Sequence, residues 1–490
     1  MRIEHMMRYA PLHAASFAVM AFFGAVDAAE PELANSEICV ECLQIRLGPP
    51  VVVRGPFPDE LDATFTALKL ANGSFRGFSA NGATYAIEGA SLWDMAGSRQ
   101  PVLQPGEPGS INDCGRWLTS IMRSGDGALG LVHQEAACNY SQGRTDKSMA
   151  IATSADEGLT WTDLGTVITG PDSPLPDRIT GEGDCTMIDG LDSYLYAYCL
   201  RNSDWQTITA RAPASDPTNW HKYYEGAWSE PGLEGKATAI GFVGQGAAYL
   251  LEPGWVAVVA TDPWFGGLRL SLSKDKVSFV DLKEPLVVIE GSDWDRPADT
   301  GLVAYGTMLN PDNGSNAINR HFLLSYLYVP PGEGFESRYL VHHEVSLAFG
   351  DRPIPVQVGT ALTRWSDPKH EIYVTSTGPL TGDRLAFRRD KTVAYMLTSA
   401  PEGVASIKVA ECSSDWPGHL DHTIAEDGSC KANGYVRERT AGWLLAAEQT
   451  GSVPVYRCVN ATARTHFASN APDCEGLGSM EFLLGYGLAP

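Results

Sequence analysis

Basic residues, helical periodicity and long apolar runs are all scarce in this sequence of 490 residues. Lys and Arg number 36 against 59 Asp and Glu, which gives a formal net charge of −23. So acidic a surface repels phosphate backbones and anionic lipid heads, and nucleic acid is therefore excluded as an expected partner. Past the N-terminal segment no stretch is long and apolar enough to cross a bilayer, so no membrane insertion is expected. The lack of helical period, together with 50 Gly and 31 Pro, predicts an all-β chain with many turns.

Signature motifs of several enzyme classes are absent as well. The sequence has no G-x-S-x-G elbow, no P-loop, no G-x-G-x-x-G after a strand and no H-E-x-x-H. Serine hydrolase, nucleotide and zinc chemistry are therefore unsupported. No metal site is assigned and no cofactor is expected to be required.

The N-terminus has the features of a secretory signal peptide. Arg2 and Arg8 precede an apolar run from Ala14 to Val26, and a small residue, Ala28, stands where a signal peptidase would cut. The run is too short for a membrane anchor. We therefore expect residues 1–28 to be removed and the mature protein to be secreted or periplasmic.

The ten cysteines fall into five sequence-local pairs. An even, paired set in an exported chain predicts disulfides and leaves no thiol for nucleophilic catalysis. For Cys39 and Cys42, a C-x-x-C without further metal ligands nearby, a tight disulfide and pairing elsewhere both stay open. The other expected disulfides are Cys114 to Cys138, Cys185 to Cys199, Cys412 to Cys430 and Cys458 to Cys474.

A two-strand unit repeats along the first 350 residues. Asp113-Cys114 opens one copy, which Cys138 closes, and Asp184-Cys185 opens another 71 residues later, which Cys199 closes. Looser openings stand at Asp62, Lys236 and Asp299. Five such units, at a period near 60 residues, predict a five-bladed β-propeller over about 50–350.

A second repeated feature lies at the hairpin turns. The segment 154–161, Ser-Ala-Asp-Glu-Gly-Leu-Thr-Trp, fits the Asp-box pattern S-x-D-x-G-x-T-W, and degenerate copies lie at 215–220 and 273–279. The Asp-box resembles that of sialidase-type and other carbohydrate-active propellers. The five units resemble the five-bladed fold of the arabinanase, xylosidase and invertase clan of glycoside hydrolases. The resemblance implies a secreted glycoside hydrolase that acts on a poly- or oligosaccharide in the channel; it does not identify the glycan.

A propeller gathers the residues that open its units into a ring at one mouth of the channel. Turn chemistry explains any single Asp before a strand. Several carboxylates at one mouth would also supply the pKa split that glycoside hydrolysis needs. The expected ring comprises Asp62, Asp113, Asp184, Lys236 and Asp299.

The resemblance also suggests roles for individual residues. Carried over by unit position, the base or nucleophile falls on Asp113, the orienting carboxylate on Asp184 and the general acid on Glu230. Glu182 and Glu135 are near-equal candidates for the acid. Asp62, Lys236 and Asp299 are expected to contact substrate.

Two other functions stay open for the same channel. A polysaccharide lyase acting on uronates would need a cation and a proton-transfer group, which His133, Tyr198, Arg201 and Lys236 would supply. A non-catalytic glycan-binding protein would use the carboxylate ring to hold a structural Ca²⁺.

The last part of the chain, about 356–490, has a different repeat of about 45 residues. Three copies open at Trp365, Cys412 and Cys458, at spacings of 47 and 46, and His422 aligns with His466 at a spacing of 44. This pattern predicts a pseudo-threefold module, for which a β-trefoil is one solution. The last copy resembles an uncharacterised repeat found at the ends of secreted bacterial proteins. A sugar-binding role and a role as stabilising spacer both stay open.

Overall fold

The structure is a computed structural model that describes residues 38–490 except 242–243, 245, 262–266, 290–299, 355–356, 368, 370–371, 415–419 and 432–433. The expected signal peptide at 1–28, Asp299 and Val356 lie outside the described residues. In the described part strands predominate and the helices are single 3₁₀ turns, so the prediction of an all-β chain is confirmed. Over those residues, no helix has the length and apolar character needed to cross a membrane.

The first three strand groups follow one another along the chain. Two strands come first, β1 (Leu43–Leu47) and β2 (Val51–Phe57). Group one comprises β3 (Thr66–Lys69), β4 (Phe75–Asn81), β5 (Ala83–Gly89) and β6 (Arg99–Leu103). Group two comprises β7 (Gly115–Ser124), β8 (Gly127–Asn139), β9 (Arg144–Ser154) and β10 (Thr162–Thr169). Group three comprises β11 (Ile179–Asp189), β12 (Tyr194–Arg201), β13 (Gln206–Pro213), β14 (His221–Tyr224) and β15 (Ala227–Pro231).

Two more groups complete this part of the chain. Group four comprises β16 (Gly246–Leu250), β17 (Trp255–Thr261), β18 (Gly267–Ser273), β19 (Val280–Asp281) and β20 (Val287–Val288). Group five comprises β21 (Leu302–Leu309), β23 (His321–Val329) and β24 (Arg338–Phe349), while β22 (Ala317–Ile318) pairs with β16 of group four. The N-terminal strand β2 pairs with β24, so the start of the chain completes the last group.

The groups are antiparallel sheets arranged in a ring. The first strand of each group contacts the first strand of the next, from β3 through β7, β11 and β16 to β21. Hydrogen bonds join these inner strands: the Met187 N–H donates to Ser120 Oγ at 2.8 Å, and the Ala247 N–H donates to Thr186 Oγ1 at 2.9 Å. The Tyr305 hydroxyl donates to Asp62 at 3.2 Å and links group five to group one. Sheets radiating from a central channel in this way form a β-propeller.

The turn at 154–161 fastens group two to group one. Asp156 accepts hydrogen bonds from the Thr160 N–H at 2.8 Å and from the Thr160 hydroxyl at 2.7 Å, which close the turn. Gly158 has φ +89°, a conformation that favours glycine. The turn delivers Trp161 against Phe78 of group one, with 6.2 Å between ring centroids. The motif therefore acts in packing, away from the channel.

The five predicted cysteine pairs are all disulfides in the structure. Cys39 bonds Cys42, which decides between the two alternatives left open for that pair. The other four join Cys114 to Cys138, Cys185 to Cys199, Cys412 to Cys430 and Cys458 to Cys474.

The C-terminal part consists of three three-stranded repeats. They comprise β25 (Val358–Asp367), β26 (Ile372–Ser376) and β27 (Arg388–Leu397); β28 (Ser406–Ser414), β29 (His422–Glu426) and β30 (Tyr435–Leu445); and β31 (Ser452–Asn460), β32 (Thr465–Ser469) and β33 (Ser479–Leu488). The short strands β26, β29 and β32 contact one another. Strand β1 pairs antiparallel with β24 and parallel with β25, so one sheet runs from group five into this module.

Candidate active site

A polar cavity of about 260 Å³ lies at the channel and is lined by residues of groups one, two, three and five. It is lined by carboxylates, one ammonium, aromatic rings and one end of a disulfide. The lining residues are Asp62, Asn81, Gly82, Cys114, Trp117, His133, Glu135, Tyr140, Lys147, Asp184 and Tyr305.

Two adjacent strands of group two supply the centre of the site. His133 and Glu135 are two residues apart on β8 and therefore share one face of the sheet. Glu135 lies directly opposite Lys147 of β9 in the antiparallel register. Cross-strand neighbours of opposite charge stabilise each other, and here they do so in a nearly buried position.

Asp184 and Tyr305 reach the cavity from irregular points of two inner strands. The register of β11 shifts between Gly183 and Thr186, and that of β21 shifts between Ala304 and Thr307. At these bulges Asp184 has φ +52° and Tyr305 has φ +54°, in the left-handed region that side chains other than glycine rarely adopt. Strained residues of this kind concentrate at functional sites.

Lys147 is the cation that joins the two ionised carboxylates. Its Nζ lies 2.6 Å from Asp184 Oδ2 and 3.6 Å from Glu135 Oε1. Burial alone would lower the pKa of Lys147, but the two carboxylates outweigh it and raise that pKa. Burial likewise opposes ionisation of Glu135 and Asp184, but the charge of Lys147 outweighs it, and the pKa of each carboxyl is lowered. Hydrogen bonds from His133 and Tyr140 add to the lowering for Glu135. Both carboxylates are therefore held ionised.

His133 is fixed in one tautomer. The Asp184 N–H donates to His133 Nδ1 at 3.0 Å, so the ring proton sits on Nε2, which lies 3.1 Å from Glu135 Oε1. The ring also packs against Trp117, with 5.2 Å between centroids. A Cβ at Gly183 would lie 2.7 Å from the imidazole, so this approach requires glycine.

Asp62 differs from the other two carboxyls. Burial raises the pKa of Asp62 to about 6, against the lowering effect of Arg338, whose nearest nitrogen is 4.0 Å away. The Tyr305 hydroxyl donates to Asp62 Oδ1 at 3.2 Å. The cavity thus holds one carboxyl that is protonated in mildly acidic solution and two that are not.

The structure brings together four of the sequence-predicted residues: Asp62, His133, Glu135 and Asp184. Asp113 lies outside this set, next to the cavity-lining Cys114, because its carboxylate accepts the backbone N–H groups of Gly109 at 2.8 Å and Ala137 at 3.3 Å. This is the turn chemistry considered for any Asp before a strand.

The remaining predicted residues do not line the cavity. Glu230 lies on β15, the outermost strand of group three, and accepts the Lys236 N–H at 3.1 Å. Glu182 forms a buried ion pair with Lys222 at 2.6 Å. Three more are placed elsewhere: Tyr198 donates to the Lys276 carbonyl within the core, Arg201 pairs with Asp204, and Lys236 is exposed.

The misplacement of Asp113 has a specific cause. Aligning the repeats on Cys114 and Cys185 treats Asp113 and Asp184 as equivalent, but Cys114 precedes β7 whereas Cys185 lies inside β11. The bulges show which positions are equivalent in the structure. Asp184 and Tyr305 each lie at the register shift of an inner strand, and the corresponding shift of β7 lies between Leu118 and Ser120, several residues after Asp113. The alignment on cysteines is therefore wrong by several residues.

Sequence reasoning missed four cavity residues with charged or aromatic side chains. Lys147 lies beyond the predicted two-strand unit, which Cys138 closes; the antiparallel pairing of β8 with β9 places it opposite Glu135. Trp117 lies opposite His133 in the regular part of the β7–β8 pairing, whereas a turn brings Tyr140 and a bulge brings Tyr305 to the cavity.

The ammonium of Lys147 lies where a metal ion would bind in this cavity. Lys147 already occupies the position between Glu135 and Asp184 that a Ca²⁺ ion would take. Elsewhere in the described residues, ligand atoms of Glu411, His422 and Glu438 lie within 4.8 Å of one another. Arg439 and Arg384 already pair with these two carboxylates, at 2.8 Å each. Each of these carboxylates already has a cationic partner, which disfavours a divalent cation at either place.

Comparison with known proteins gives remote structural similarity only. No protein-family model matches the chain, and no curated protein matches it. Among solved structures, a GH43 β-1,3-galactosidase with galactodeoxynojirimycin is 13% identical, with 61% of this chain and 94% of that chain covered and a TM-score of 0.41. A family 117 glycoside hydrolase from Zobellia galactanivorans is 10% identical, with coverages of 62% and 91% and a TM-score of 0.44. The catalytic domain of a Coprinopsis cinerea GH62 α-L-arabinofuranosidase is 12% identical, with coverages of 62% and 98% and a TM-score of 0.41. At these TM-scores the similarity assigns no activity to this chain.

Proposed function

We propose that the protein is a glycoside hydrolase that cleaves a neutral poly- or oligosaccharide in the channel cavity. The observation that carries this proposal is the opposite shift of neighbouring carboxyls: the pKa of Asp62 is raised to about 6, while that of Asp184 is lowered. Hydrolysis of a glycosidic bond needs one carboxylic acid to protonate the leaving oxygen and one carboxylate to act as base or nucleophile. The cavity supplies both forms at the same pH.

Asp62 takes the role of general acid in this proposal. It is the carboxyl in the cavity whose pKa lies within the range where an enzyme donates a proton in mildly acidic solution. The Tyr305 hydroxyl, which donates to Asp62 Oδ1, leaves Oδ2 as the oxygen that carries the acidic proton.

Asp184 takes the role of base or nucleophile, and Glu135 positions the groups around it. Both oxygens of Glu135 already have partners. Oε2 accepts hydrogen bonds from the hydroxyls of Tyr140 at 2.6 Å and Thr145 at 3.1 Å, and Oε1 faces His133 and Lys147. Asp184 has its close ion pair on Oδ2; within the part of the chain that the structure describes, the ion-pair partner near Oδ1 is His133 Nε2, at 3.8 Å. Asp184 Oδ1 is therefore the oxygen free to meet a sugar or a water.

The charge of the cavity favours a neutral substrate over a uronate. Lys147 is engaged with two carboxylates and has no charge left to neutralise a third from the substrate. A lyase needs such a cation, and the residues considered for it, Arg201 and Lys236, are outside the cavity. Hydrolysis of a neutral glycan is therefore the better fit.

Secretion belongs to the same proposal. Five disulfides support an oxidising compartment, where polysaccharides are also found. The N-terminal signal expected from the sequence would direct export.

A glycan panel tests the function. The purified protein is incubated with β-1,3-galactan, arabinoxylan, xylo-oligosaccharides and two uronate glycans, and both new reducing ends and the absorbance of unsaturated uronates are recorded. The proposal expects reducing ends from a neutral glycan, no unsaturated product, and loss of activity in an Asp62→Asn/Asp184→Asn double variant. Unsaturated products would show a lyase. Activity that survives in the double variant would place the chemistry elsewhere.

A further inference from the structure

Tyr140 stands out because it is both exposed and tied to the centre of the site. Its side chain is 60% exposed, yet its hydroxyl donates to Glu135 Oε2 at 2.6 Å. The ring therefore spans from solvent to the cavity and leaves an aromatic face open at the mouth. Burial of the hydroxyl end and the Glu135 carboxylate raise the pKa of Tyr140, so this hydroxyl stays protonated and donates.

The segment 137–143 that carries Tyr140 comprises the irregular end of β8 and the turn that leads to β9. The register of these strands shifts between Ala136 and Asn139, and Tyr140 begins a 3₁₀ turn. Ala137 has φ +52° and Gly143 has φ +66°. A turn with these backbone conformations needs outside contacts to hold one geometry.

Two neighbouring residues supply those contacts. Cys138, inside the segment, is bonded to Cys114, which itself lines the cavity. The Ala137 N–H donates to Asp113 Oδ1 at 3.3 Å, while Asp113 Oδ2 accepts the Gly109 N–H at 2.8 Å. The Cys114 N–H donates to the Glu135 carbonyl at 3.1 Å. Cys114 therefore connects the segment 137–143 to the backbone of Glu135 as well.

We propose that Tyr140 contacts the substrate and positions Glu135, and that Asp113 and the Cys114–Cys138 disulfide clamp it in place. The hydroxyl fixes one oxygen of Glu135, and the open face of the ring stacks on a sugar ring. Asp113 then acts through the turn and touches no substrate. The stacking rests on the proposed function, whereas the clamp does not.

Kinetics on the hydrolysed glycan test the contact. Tyr140→Ala removes the ring, and KM is expected to rise about tenfold, the size of an aromatic contact. Tyr140→Phe keeps the ring and removes one donor from Glu135. It should leave KM within a factor of two and lower kcat. The matched control is Tyr196→Phe, which removes the same kind of bond, to Asp192 at 2.8 Å, outside the cavity. A KM in Tyr140→Ala equal to that of the control would overturn the contact.

Hydrogen exchange of the protein without substrate tests the clamp. In the double variant Cys114→Ser/Cys138→Ser, the amides of 137–143 should exchange at least tenfold faster than in wild type. The control, Cys412→Ser/Cys430→Ser, removes a disulfide of the C-terminal module and should leave this segment unchanged. Asp113→Ala, which keeps the disulfide, should show a smaller increase and serves if the double variant does not fold.

The two readouts separate the possible failures. Unchanged exchange of 137–143 in both clamp variants would overturn the clamp. If the wild-type protein hydrolyses no glycan, the stacking falls together with the proposed function, and the exchange data still decide the clamp.

Discussion

The backbone N–H of Asp184 donates to Nδ1 of His133 at 3.0 Å. This contact exists because Asp184 adopts φ +52° at a bulge, which turns its N–H toward the neighbouring sheet. It fixes the proton of His133 on Nε2, facing Glu135. One backbone irregularity thereby orients an imidazole and, through it, a carboxylate.

Two substitutions of His133 separate these contacts. The side-chain amide of Asn reaches about as far as Nδ1, so His133→Asn keeps an acceptor for the Asp184 N–H and loses the donor to Glu135. The longer amide of Gln reaches about as far as Nε2, so His133→Gln keeps the donor to Glu135 and loses the acceptor for the Asp184 N–H. We expect His133→Gln to be the less stable variant, by about 1 kcal/mol, because it leaves the partly buried N–H of Asp184 without its acceptor. Urea unfolding measures the difference. Equal stability of the two variants would contradict the contact.

Asp62 is expected to lower the stability of the protein at neutral pH. Its folded pKa of about 6 lies above the ordinary value of 3.8, so the folded state binds the proton more tightly than the unfolded state. Stability therefore falls as the pH rises from about 4 to about 6. Asp62→Asn removes this loss and should be more stable than wild type at pH 8 by up to about 3 kcal/mol, with no gain at pH 3. Denaturant unfolding at both pH values checks it; a gain of equal size at both would refute the shift.

Carboxylates outside the cavity should affect stability and not turnover. Glu182→Gln leaves the buried Lys222 without a charged partner and should cost about 3–5 kcal/mol. Glu230→Gln, on an outer strand, should change stability by less than about 0.5 kcal/mol. Both variants, once folded, should keep kcat within a factor of two of wild type. A loss of kcat of about 10² or more in Glu230→Gln would restore it as the general acid.

The C-terminal module should fold by itself. Its central hydrophobic cluster is built only from its own residues, among them Leu362, Val409 and Val455. Residues 358–490 expressed alone in an oxidising compartment should give a cooperative thermal transition and both disulfides. The remainder, ending at residue 354, loses β25, one of the two partners of β1, and the hydrogen bond from Arg439 to the Tyr328 hydroxyl, and should melt at a lower temperature. Absence of a cooperative transition in 358–490 would show that the module needs the propeller.

Local features of the sequence predicted the fold well. The disulfides and the turn at 154–161 join residues that are close in the chain, and strand alternation is a short-range pattern. The sequence therefore predicted the all-β class and the pairing of Cys114 with Cys138 and Cys185 with Cys199.

The site depended on features that a single sequence does not display. Asp184 and Tyr305 occupy equivalent positions of their strands only because both lie at bulges. No sequence pattern marks the residues at which a bulge shifts the register. An alignment on cysteines therefore placed Asp113 in the ring, although Asp113 does not line the cavity. Lys147 depends on such an irregularity too, since the register of β8 and β9 shifts between Ala136 and Asn139 on the way to the pair of Glu135 with Lys147.

The pH dependence of kcat/KM on a hydrolysed neutral glycan tests the central claim, that Asp62 donates the proton in the channel. Since Asp62 must be protonated to act and its pKa is raised to about 6, kcat/KM should fall tenfold per pH unit above about pH 6. Asp62→Asn should lower the maximum by about 10² to 10⁴ and remove this alkaline limb. An alkaline limb that persists unchanged in Asp62→Asn would contradict the account.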